Sequence, residues 1–536
     1  MVQGVARASP RGGVSARPAM FARAQVAPNP LPWFATLFIA ACAQSAGAAW
    51  PFDVFFAKGA TLWWLQLLAQ AVFVWALVRA PSARAAAGRA WWFVTVWLST
   101  TFWWLFIALH TYGGLPALLA VVAIVALAAA LGLYYAIAAW AFWRGRLVHP
   151  VVAALGFAAL WTMAELARGT WLTGFGWGAV GYAHLDGPLA WYLPWVGSYG
   201  VGLLAALGAA SLALLSSRRS VLSFGFAACV FALPLLAPSA WNSWTQPSGT
   251  LSVTLLQGNI PQDEKFETGS GVPLALQWYA EQLQRSDTAL VVAPETAVPL
   301  LPQQLPGGYW SALEQHFVNG KSAAIIGIPL GSYSQGYTNS VLGLTPGQKE
   351  PWRYDKHHLV PFGEFIPPLF KWFTRMMNIP LGDFNRGPLG QPSLPVAGER
   401  VAPNICYEDL YGEELASRFT NAALAPTVFA NVSNLGWFND SVALDQHLNI
   451  SRARALEFQR PFVRATNTGA TAILDYQAVV QKALPARTRG VLVGEVQGRT
   501  GVTPFAWWAA RFGLWPLWVV CLLLLAGAWH LGRRTR

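Results

Sequence analysis

The sequence predicts a multi-span α-helical membrane domain, of about eight helices, that carries a globular α/β domain. Composition is the first reason. Of the 536 residues, 55% are hydrophobic and only 11% are charged, whereas about a quarter of the residues in a soluble domain are charged. The second reason is a series of apolar runs near the length of about 20 residues that a bilayer requires. The third is one polar stretch, 245–500, that interrupts this series near its end.

The apolar part begins after a basic segment. Residues 1–30 contain four arginines, many alanines, glycines and prolines, and no acidic residue, which predicts a disordered cytoplasmic tail. Residues 31–240 predict a transmembrane domain of about seven helices, and 505–531 predict a C-terminal transmembrane helix. The seven runs are centred on 33–49, 58–78, 90–110, 115–143, 149–167, 190–215 and 220–238.

Arginines predict the orientation of these spans, since cytoplasmic loops of membrane proteins are enriched in Lys and Arg. They follow the second, fourth, sixth and last runs: Arg79, Arg84, Arg89, Arg144, Arg146, Arg218, Arg219, Arg533, Arg534 and Arg536. We therefore expect both termini in the cytoplasm and the polar stretch on the opposite side, the periplasm of a bacterium. The net charge of +12 does not indicate a nucleic-acid partner, because the arginines form no continuous basic stripe.

The polar stretch alternates strand-like and helix-like segments, which favours an α/β fold. Its helix candidates are 272–285, 308–318 and 442–459. Its strand candidates are LSVTLLQGNI, ALVVAPE, AAIIGIP, TNSVLGL, VAPNIC, APTVFANVS and TAILD.

Residues of catalytic type follow three of these strands. Glu295 ends ALVVAPE, Lys356 and Glu364 lie in the loop RYDKHHLVPFGEFIP, and Cys406 ends VAPNIC. Taken singly, a glutamate or lysine here would be a solvated surface group, and a buried cysteine is commonly inert. The combination is more informative, because sites in α/β sheets gather at strand ends. Cys406 is also the one cysteine of the polar stretch, whereas Cys42, Cys229 and Cys521 lie in apolar runs.

This set of groups suits acyl transfer or amide hydrolysis through a thioester. The thiolate is the nucleophile, a carboxylate can take and return its proton, and an ammonium can stabilise an oxyanion. A Cys–His arrangement with His357, His358 or His447 remains an alternative. No CxxC or HExxH spacing occurs, so neither a metal nor another cofactor is expected.

The order Glu–Lys–Cys, in APETAVP, YDKHHLVPFGEFIP and NICYEDLYGEE, resembles the nitrilase superfamily and, within it, the apolipoprotein N-acyltransferases. The resemblance extends over nearly the whole chain. It includes these further strings: ELARGTWLTGFGWGAVGYAHLDGPL, QGNIPQDEKF, FNRGP, RARALEFQRPFVRATNTG and GRTGVTPF. Strings of this length are far more specific than a triad of residue types.

The resemblance implies that 245–500 is a periplasmic, nitrilase-like αββα sandwich mounted on a bacterial inner-membrane domain. It also implies a ping-pong acyl transfer. Cys406 would take an acyl chain from a phospholipid, typically phosphatidylethanolamine, and pass it to the α-amine of a diacylglyceryl-cysteine apolipoprotein. In this scheme Glu295 is the general base and acid, and Lys356 stabilises the oxyanion. Glu364 would orient Lys356, and two residues would support the site, Tyr407 and Glu408.

Two positions depart from the family pattern, and three others have competing interpretations. Phe266 stands where the family commonly has tryptophan, and Leu435, in SNLGWFN, replaces an acidic residue. Trp437 would either pack in the core or line the lipid entrance. Glu165 and Arg168 would either recognise the lipid head group or form a neutralising pair at the membrane interface.

Two other functions remain open. A membrane-tethered amidase would keep the triad and release ammonia from a soluble amide. A non-enzymatic transporter or sensor would explain the helices, and it would leave function intact in Cys406→Ala.

Overall fold

The computed structural model of the protein describes residues 31–145, 149–215, 218–367 and 384–534. The predicted tail, 1–30, and two arginines of the orientation argument, Arg146 and Arg536, lie outside these residues.

A helix occupies each of the seven apolar runs predicted before residue 240. Helices α1 to α7 are Leu31–Ala48, Trp63–Val78, Ala83–Thr101, Ala117–Gly145, Pro150–Thr170, Leu193–Ala213 and Arg218–Leu236. Within the described residues, three helical segments are long and apolar enough to cross a membrane, namely 117–145, 150–173 and 188–213. A bent pair near the C-terminus would make a fourth. The total of about eight spans stays a prediction.

The bent pair corrects the single helix expected at 505–531. The structure has two helices there, Pro504–Phe512 and Trp515–Arg534, inclined at 95°. Gly513 adopts a left-handed φ of 54° at the break, a conformation that favours glycine. The first helix turns away because Phe505 packs against Phe458 of the globular domain, with ring centroids 5.6 Å apart. Its apolar side therefore covers a protein core.

The polar stretch forms two six-stranded sheets. The first has the order β12-β1-β2-β3-β4-β5 and the second β11-β10-β9-β8-β7-β6. The central strands of each sheet are parallel, β1–β2–β3 and β7–β8–β9. The strands are Thr245–Gln257, Leu290–Val292, Ala323–Ser332, Gly336–Leu344, Trp352–Asp355, Leu394–Val396, Glu399–Ile405, Val428–Ser433, Phe462–Thr466, Ala472–Leu474, Val480–Ala483 and Gly490–Gly501, for β1 to β12.

Helices cover the outer face of each sheet. Five further α-helices belong to the sandwich or pack against it, α8 to α12: Gly271–Arg285, Tyr309–Asn319, Gly412–Ala416, Val442–Phe458 and Pro504–Phe512. Trp515–Arg534 is α13. Alternation along the strands separates the layers. In β2, Leu290 and Val292 join the core between the sheets, whereas Val291 joins the core under α8 and α9. Phe429 of β8 likewise packs with Phe458 of α11. The expected αββα sandwich is confirmed.

The sandwich is attached to the membrane helices through α11 and through the residues after Cys406. Tyr407, Tyr411 and Val442 belong to the same apolar cluster as the membrane helices. Polar contacts join them as well. The buried Glu457 carboxylate accepts hydrogen bonds from the backbone N–H and the hydroxyl of Ser198, at 2.6 and 2.7 Å. Buried carboxylates require such partners, so this contact holds α11 in one position against α6.

Candidate active site

Glu295 lies three residues beyond the parallel strand β2 and is 8% exposed. Asn339 Nδ2 donates to Oε1 at 2.7 Å, and the backbone N–H of Asn434 donates to Oε2 at 2.9 Å. Gly327 of β3 permits this arrangement, because a Cβ there would lie 2.8 Å from the Glu295 Cα. Both carboxylate oxygens are therefore held before any substrate binds.

Lys356 follows β5 directly and is 1% exposed. Since β5 runs in the same direction as β3, its end lies at the same edge of the sheet as Glu295. The ammonium lies 2.9 Å from Glu364 Oε1 and 3.5 Å from Glu295 Oε1. Burial lowers the pKa of Lys356, but the attraction of Glu364 and Glu295 outweighs burial and raises the pKa above its ordinary value. Lys356 is therefore a cation at neutral pH.

Cys406 follows the parallel strand β7 in the second sheet, and its backbone turns at once into the short helix Cys406–Leu410. Its φ is 51°, in the left-handed region that non-glycine residues rarely adopt. Burial and the charge of Glu295 raise the pKa of the thiol, and Lys356 opposes them only in part. The resting thiol is therefore protonated, and a nucleophilic role for Cys406 would require a base that takes its proton.

Glu408 connects the turn at Cys406 to the loop that carries Lys356. Its Oε1 accepts hydrogen bonds from the backbone N–H groups of His357 and His358, at 2.6 and 3.2 Å. Its Oε2 accepts from the N–H of Ile405 and the hydroxyl of Tyr354, at 2.7 and 2.8 Å. The carboxylate thus fixes the residues next to Cys406 against those next to Lys356.

Tyr407 links the turn at Cys406 to the membrane domain. Its hydroxyl lies 3.4 Å from the backbone carbonyl of Gly174, and its ring stacks on Phe175 with centroids 6.3 Å apart. Gly174 and Phe175 follow directly after α5 and its short extension, Trp171–Thr173. Tyr407, the residue after Cys406, therefore packs against the segment that follows α5 of the membrane domain.

The three histidines of the alternative Cys–His arrangement bind other groups. The Nδ1 of His357 lies 2.7 Å from the Gly387 carbonyl, and that of His358 lies 2.9 Å from Glu414. His447 reaches the backbone carbonyl of Cys406 at 3.2 Å. In the described part of the chain, none of these contacts involves the Cys406 sulfur. No group of three or more metal-ligand side chains is found among the described residues either.

Two further predicted residues are aromatic, Phe266 and Trp437. Phe266 is 53% exposed beside the buried Lys265. Trp437 is half-buried and packs edge-on against Tyr112 of the membrane domain, with centroids 5.8 Å apart. A role for either aromatic in binding substrate stays a prediction.

Glu165 and Arg168 are buried within the membrane domain rather than exposed at the end of α5. Arg168 donates to the carbonyls of Phe175 and Trp177, at 2.7 and 2.8 Å, and Glu165 accepts from the N–H of Val180 at 2.9 Å. Both side chains thus stabilise the segment that follows Gly174. This segment begins with Phe175, whose ring contacts Tyr407. Recognition of a head group by this pair stays a prediction.

Relatives of the chain are similar over almost its full length. An apolipoprotein N-acyltransferase of Verminephrobacter eiseniae (strain EF01-2) is 52% identical, with 90% of this chain and 93% of the relative covered. One of Ralstonia nicotianae (strain ATCC BAA-1114 / GMI1000) is 46% identical, with 88% and 90% covered. The chain belongs to the apolipoprotein N-acyltransferase family.

Family models divide the chain as its architecture does. The apolipoprotein N-acyltransferase N-terminal domain matches 46–211, among the membrane helices, and carbon-nitrogen hydrolase matches 252–505, the sandwich. A crystal structure of a carbon-nitrogen hydrolase from Helicobacter pylori G27 is 14% identical. It covers 50% of this chain and 94% of that chain, with a TM-score of 0.35.

The sequence-based prediction missed three polar residues that contact Glu295. Lys265 Nζ donates to the backbone carbonyl of Glu295 at 3.1 Å. The other two are Asn339 and Asn434, which contact its carboxylate. All three lie in QGNIPQDEKF, TNSVLGL or SNLGWFN, but no residue spacing shows that these segments meet at one glutamate.

Proposed function

We propose that this chain transfers an acyl chain from a membrane phospholipid to the N-terminal α-amine of diacylglyceryl-cysteine apolipoproteins. The observation that carries the proposal is the approach of three groups from two sheets. A buried ammonium, Lys356, lies 3.5 Å from the Glu295 carboxylate. The Glu408 carboxylate accepts from the backbone N–H groups of His357 and Ile405, the chain neighbours of Lys356 and Cys406. The full-length similarity to apolipoprotein N-acyltransferases supports the choice of substrates.

In the first half-reaction, Glu295 takes the thiol proton as the Cys406 sulfur attacks the sn-1 ester carbonyl carbon. The carbonyl oxygen becomes an oxyanion, which the Lys356 ammonium stabilises. The C–O bond then breaks, and Glu295 returns the proton to the departing alkoxide. The products are a lysophospholipid and an acyl thioester on Cys406.

In the second half-reaction, the neutral α-amine of the apolipoprotein attacks the thioester carbonyl carbon. Glu295 accepts a proton from this nitrogen, and the C–S bond breaks as the oxyanion collapses. The proton passes to the departing sulfur, which restores the thiol and leaves an amide on the lipoprotein. Both substrates are lipid-anchored, so attachment of the sandwich to membrane helices raises their effective concentration at the site.

Phosphatidylethanolamine is the proposed donor. The proposed location is the inner membrane of a bacterium, with the sandwich in the periplasm and both termini in the cytoplasm. A test of this orientation uses Tyr333→Cys, at a hairpin residue that is 97% exposed, and Arg84→Cys on the opposite side of the spans. An impermeant maleimide applied to intact cells should label only the first. Labelling of only the second would reverse the orientation.

The decisive experiment uses purified protein and phosphatidylethanolamine vesicles without an acceptor. Intact-mass and peptide mass spectrometry should show one acyl group on Cys406, and none in Cys406→Ala. Cys229→Ala is the matched control, because this thiol is exposed on a membrane helix and should be dispensable. Addition of a diacylglyceryl-cysteine peptide should then discharge the thioester and yield the N-acylated peptide.

Other outcomes identify the competing functions. Ammonia release from small amides, without an acyl adduct, would favour a tethered amidase. The absence of both activities in a folded protein would favour a non-enzymatic transporter or sensor.

A further inference from the structure

His447 is fully buried on α11, and its ring makes two contacts that matter for the nucleophile. Nε2 lies 3.2 Å from the backbone carbonyl oxygen of Cys406, and Nδ1 lies 2.6 Å from Arg464 Nη2. Asp409 Oδ1 is a second acceptor, also 3.2 Å from Nε2, and the contact with His447 helps to lower the pKa of Asp409. Of the two oxygens, the Cys406 carbonyl has the better hydrogen-bond alignment. The ring thus lies between a guanidinium and the backbone of Cys406.

The contact with Arg464 determines which ring nitrogen carries the proton. A guanidinium has donors and no acceptor, so Nδ1 must accept with its lone pair. The proton of the imidazole is therefore on Nε2, where it is donated to the Cys406 carbonyl. Arg464 itself stays in place because it also donates to Asp409 Oδ2 at 3.1 Å and to Ser451.

The Cys406 carbonyl needs such donors. The left-handed φ of 51° at Cys406 is a conformation that persists only where surrounding contacts over-determine it. Two side chains donate to this carbonyl, His447 through Nε2 and Asn431 through Nδ2, each at 3.2 Å. Since the side chain leaves the same Cα, a change at this peptide moves the sulfur relative to Glu295 and Lys356.

The face of the ring is held by the membrane domain. Trp177 stacks on His447 with centroids 5.5 Å apart and an interplanar angle of 23°. The indole N–H groups of Trp177 and Trp104 both donate to Gln446 Oε1, at 2.8 and 3.0 Å. The position of His447 therefore depends on membrane-domain residues as well as on the sandwich.

We propose that His447 is a positioning residue, which aims the Cys406 sulfur at substrate by donating from Nε2 to the Cys406 carbonyl. The inference rests on the proposed role of Cys406 as nucleophile. It adds a function for the membrane domain, since Trp177 fixes the donor that holds the nucleophile turn.

Two amide variants separate this role from a merely structural one. In His447→Asn, the amide occupies the place of Nδ1, so Arg464 keeps an acceptor, but the Cys406 carbonyl loses one of its two side-chain donors and keeps only Asn431. In His447→Gln, the longer side chain reaches the carbonyl and can donate to it. The readouts are Tm, the single-turnover rate of Cys406 acylation by phosphatidylethanolamine, and the rate of Cys406 alkylation by iodoacetamide.

With Tm close to wild type in both variants, His447→Asn should slow acylation by about 10- to 100-fold, the effect of misplacing a reacting group by about 1 Å. His447→Gln should recover most of the rate. Equal rates for the two variants, or a wild-type rate for His447→Asn, would overturn the proposal. If His447→Asn does not fold, His447→Gln still tests the proposal. A folded His447→Gln protein that is acylated as slowly as Cys406→Ser would contradict the role of the Nε2 donor.

Alkylation keeps the proposal testable if the donor lipid is wrong, because iodoacetamide requires only a thiol beside its base. Glu295→Gln should slow alkylation in the wild-type background. It should have little further effect in His447→Asn, where the sulfur has moved away from Glu295. Additive effects of Glu295→Gln and His447→Asn on alkylation would refute a positioning role for His447. If the two effects are not additive but the lipid does not acylate Cys406, only the proposed phospholipid donor would be refuted.

Discussion

Lys265 Nζ donates a hydrogen bond of 3.1 Å to the backbone carbonyl of Glu295, so a second buried lysine stands at the site beside Lys356. The two ammonium groups differ in their surroundings. Lys356 contacts two carboxylates directly, whereas Lys265 contacts a neutral carbonyl. Burial lowers the pKa of Lys265 to about 8, although Glu295 and Cys406 act to raise it. The charge of Lys265 is therefore lost near the upper end of the physiological range.

The first prediction concerns pH. Because Lys265 is charged below pH 8 and neutral above it, the rate of Cys406 acylation should fall as pH rises through about 8. The loss of this cation weakens the stabilisation of negative charge at the site. Lys356, with its raised pKa, keeps its charge over the same range. Single-turnover acylation between pH 6 and pH 9.5 measures the profile.

Lys265→Met is the informative variant for this prediction. It should acylate about tenfold more slowly at pH 7 and should lack the fall near pH 8. A falling limb at the same pH in the variant would assign that limb to another group.

The second prediction compares two glutamates that follow Cys406 in the sequence. Glu408→Gln should lower Tm and slow acylation, because an amide cannot accept the four hydrogen bonds that the carboxylate accepts. Each buried donor left without a partner costs about 1–3 kcal/mol. Differential scanning fluorimetry and the acylation assay measure the two effects.

Glu413→Gln is the matched control, five residues along the chain. Burial and the nearby Glu414 raise the pKa of Glu413 to about 8, so the wild-type side chain is mostly protonated at pH 7 and glutamine resembles it. A raised carboxyl pKa means that ionisation costs folding stability as pH rises from about 5 to 8. Wild-type Tm should therefore fall more over this range than that of Glu413→Gln. If Glu408→Gln and Glu413→Gln lowered Tm and the acylation rate equally at pH 7, the proposed role of the four Glu408 hydrogen bonds would be contradicted.

The third prediction concerns Phe266, whose ring is about half exposed next to Lys265. If the ring packs against an acyl chain, Phe266→Ala should raise KM for the phospholipid with little change in kcat. Burial of a phenylalanine side chain is worth about 1.5–3 kcal/mol, which corresponds to roughly 10- to 100-fold in KM. Phe266→Trp should keep or lower KM. A fall in kcat alone would place the ring in the chemical step rather than in binding.

The fourth prediction concerns Arg168. Its buried guanidinium donates to Tyr135 and to the carbonyls of Phe175 and Trp177, so Arg168→Met should lower Tm by leaving these acceptors unpaired. The exposed Arg144→Met should change Tm little. If Arg168 instead recognised the lipid head group, Arg168→Met should raise KM for phosphatidylethanolamine and leave Tm unchanged. Differential scanning fluorimetry and steady-state kinetics distinguish these two roles.

The regular elements could be predicted where the pattern along the chain is strong. The helices expected at 272–285, 308–318 and 442–459 are Gly271–Arg285, Tyr309–Asn319 and Val442–Phe458. Five strands were not predicted: β5, β6, β9, β11 and β12. Four of them lie at sheet edges, and three of those four are only three or four residues long. The interior strand β9 was missed because it carries two polar side chains, Arg464 and Thr466. The C-terminal helix pair was taken as one span, since apolarity alone does not distinguish a lipid-facing surface from a protein core.

The sequence by itself determined the division into apolar helices and an α/β domain, because hydrophobic periodicity and charge are local properties. That this domain is an αββα sandwich was implied only by the family resemblance. It also marked Glu295, Lys356 and Cys406, since each follows a recognisable strand or loop motif. Only the tertiary structure decided which groups hold them. Asn434 contacts Glu295 from 139 positions away, and His447 reaches Cys406 from 41 positions away. The physical reason is that sheet order and layer packing, rather than spacing along the chain, bring hydrogen-bond partners together.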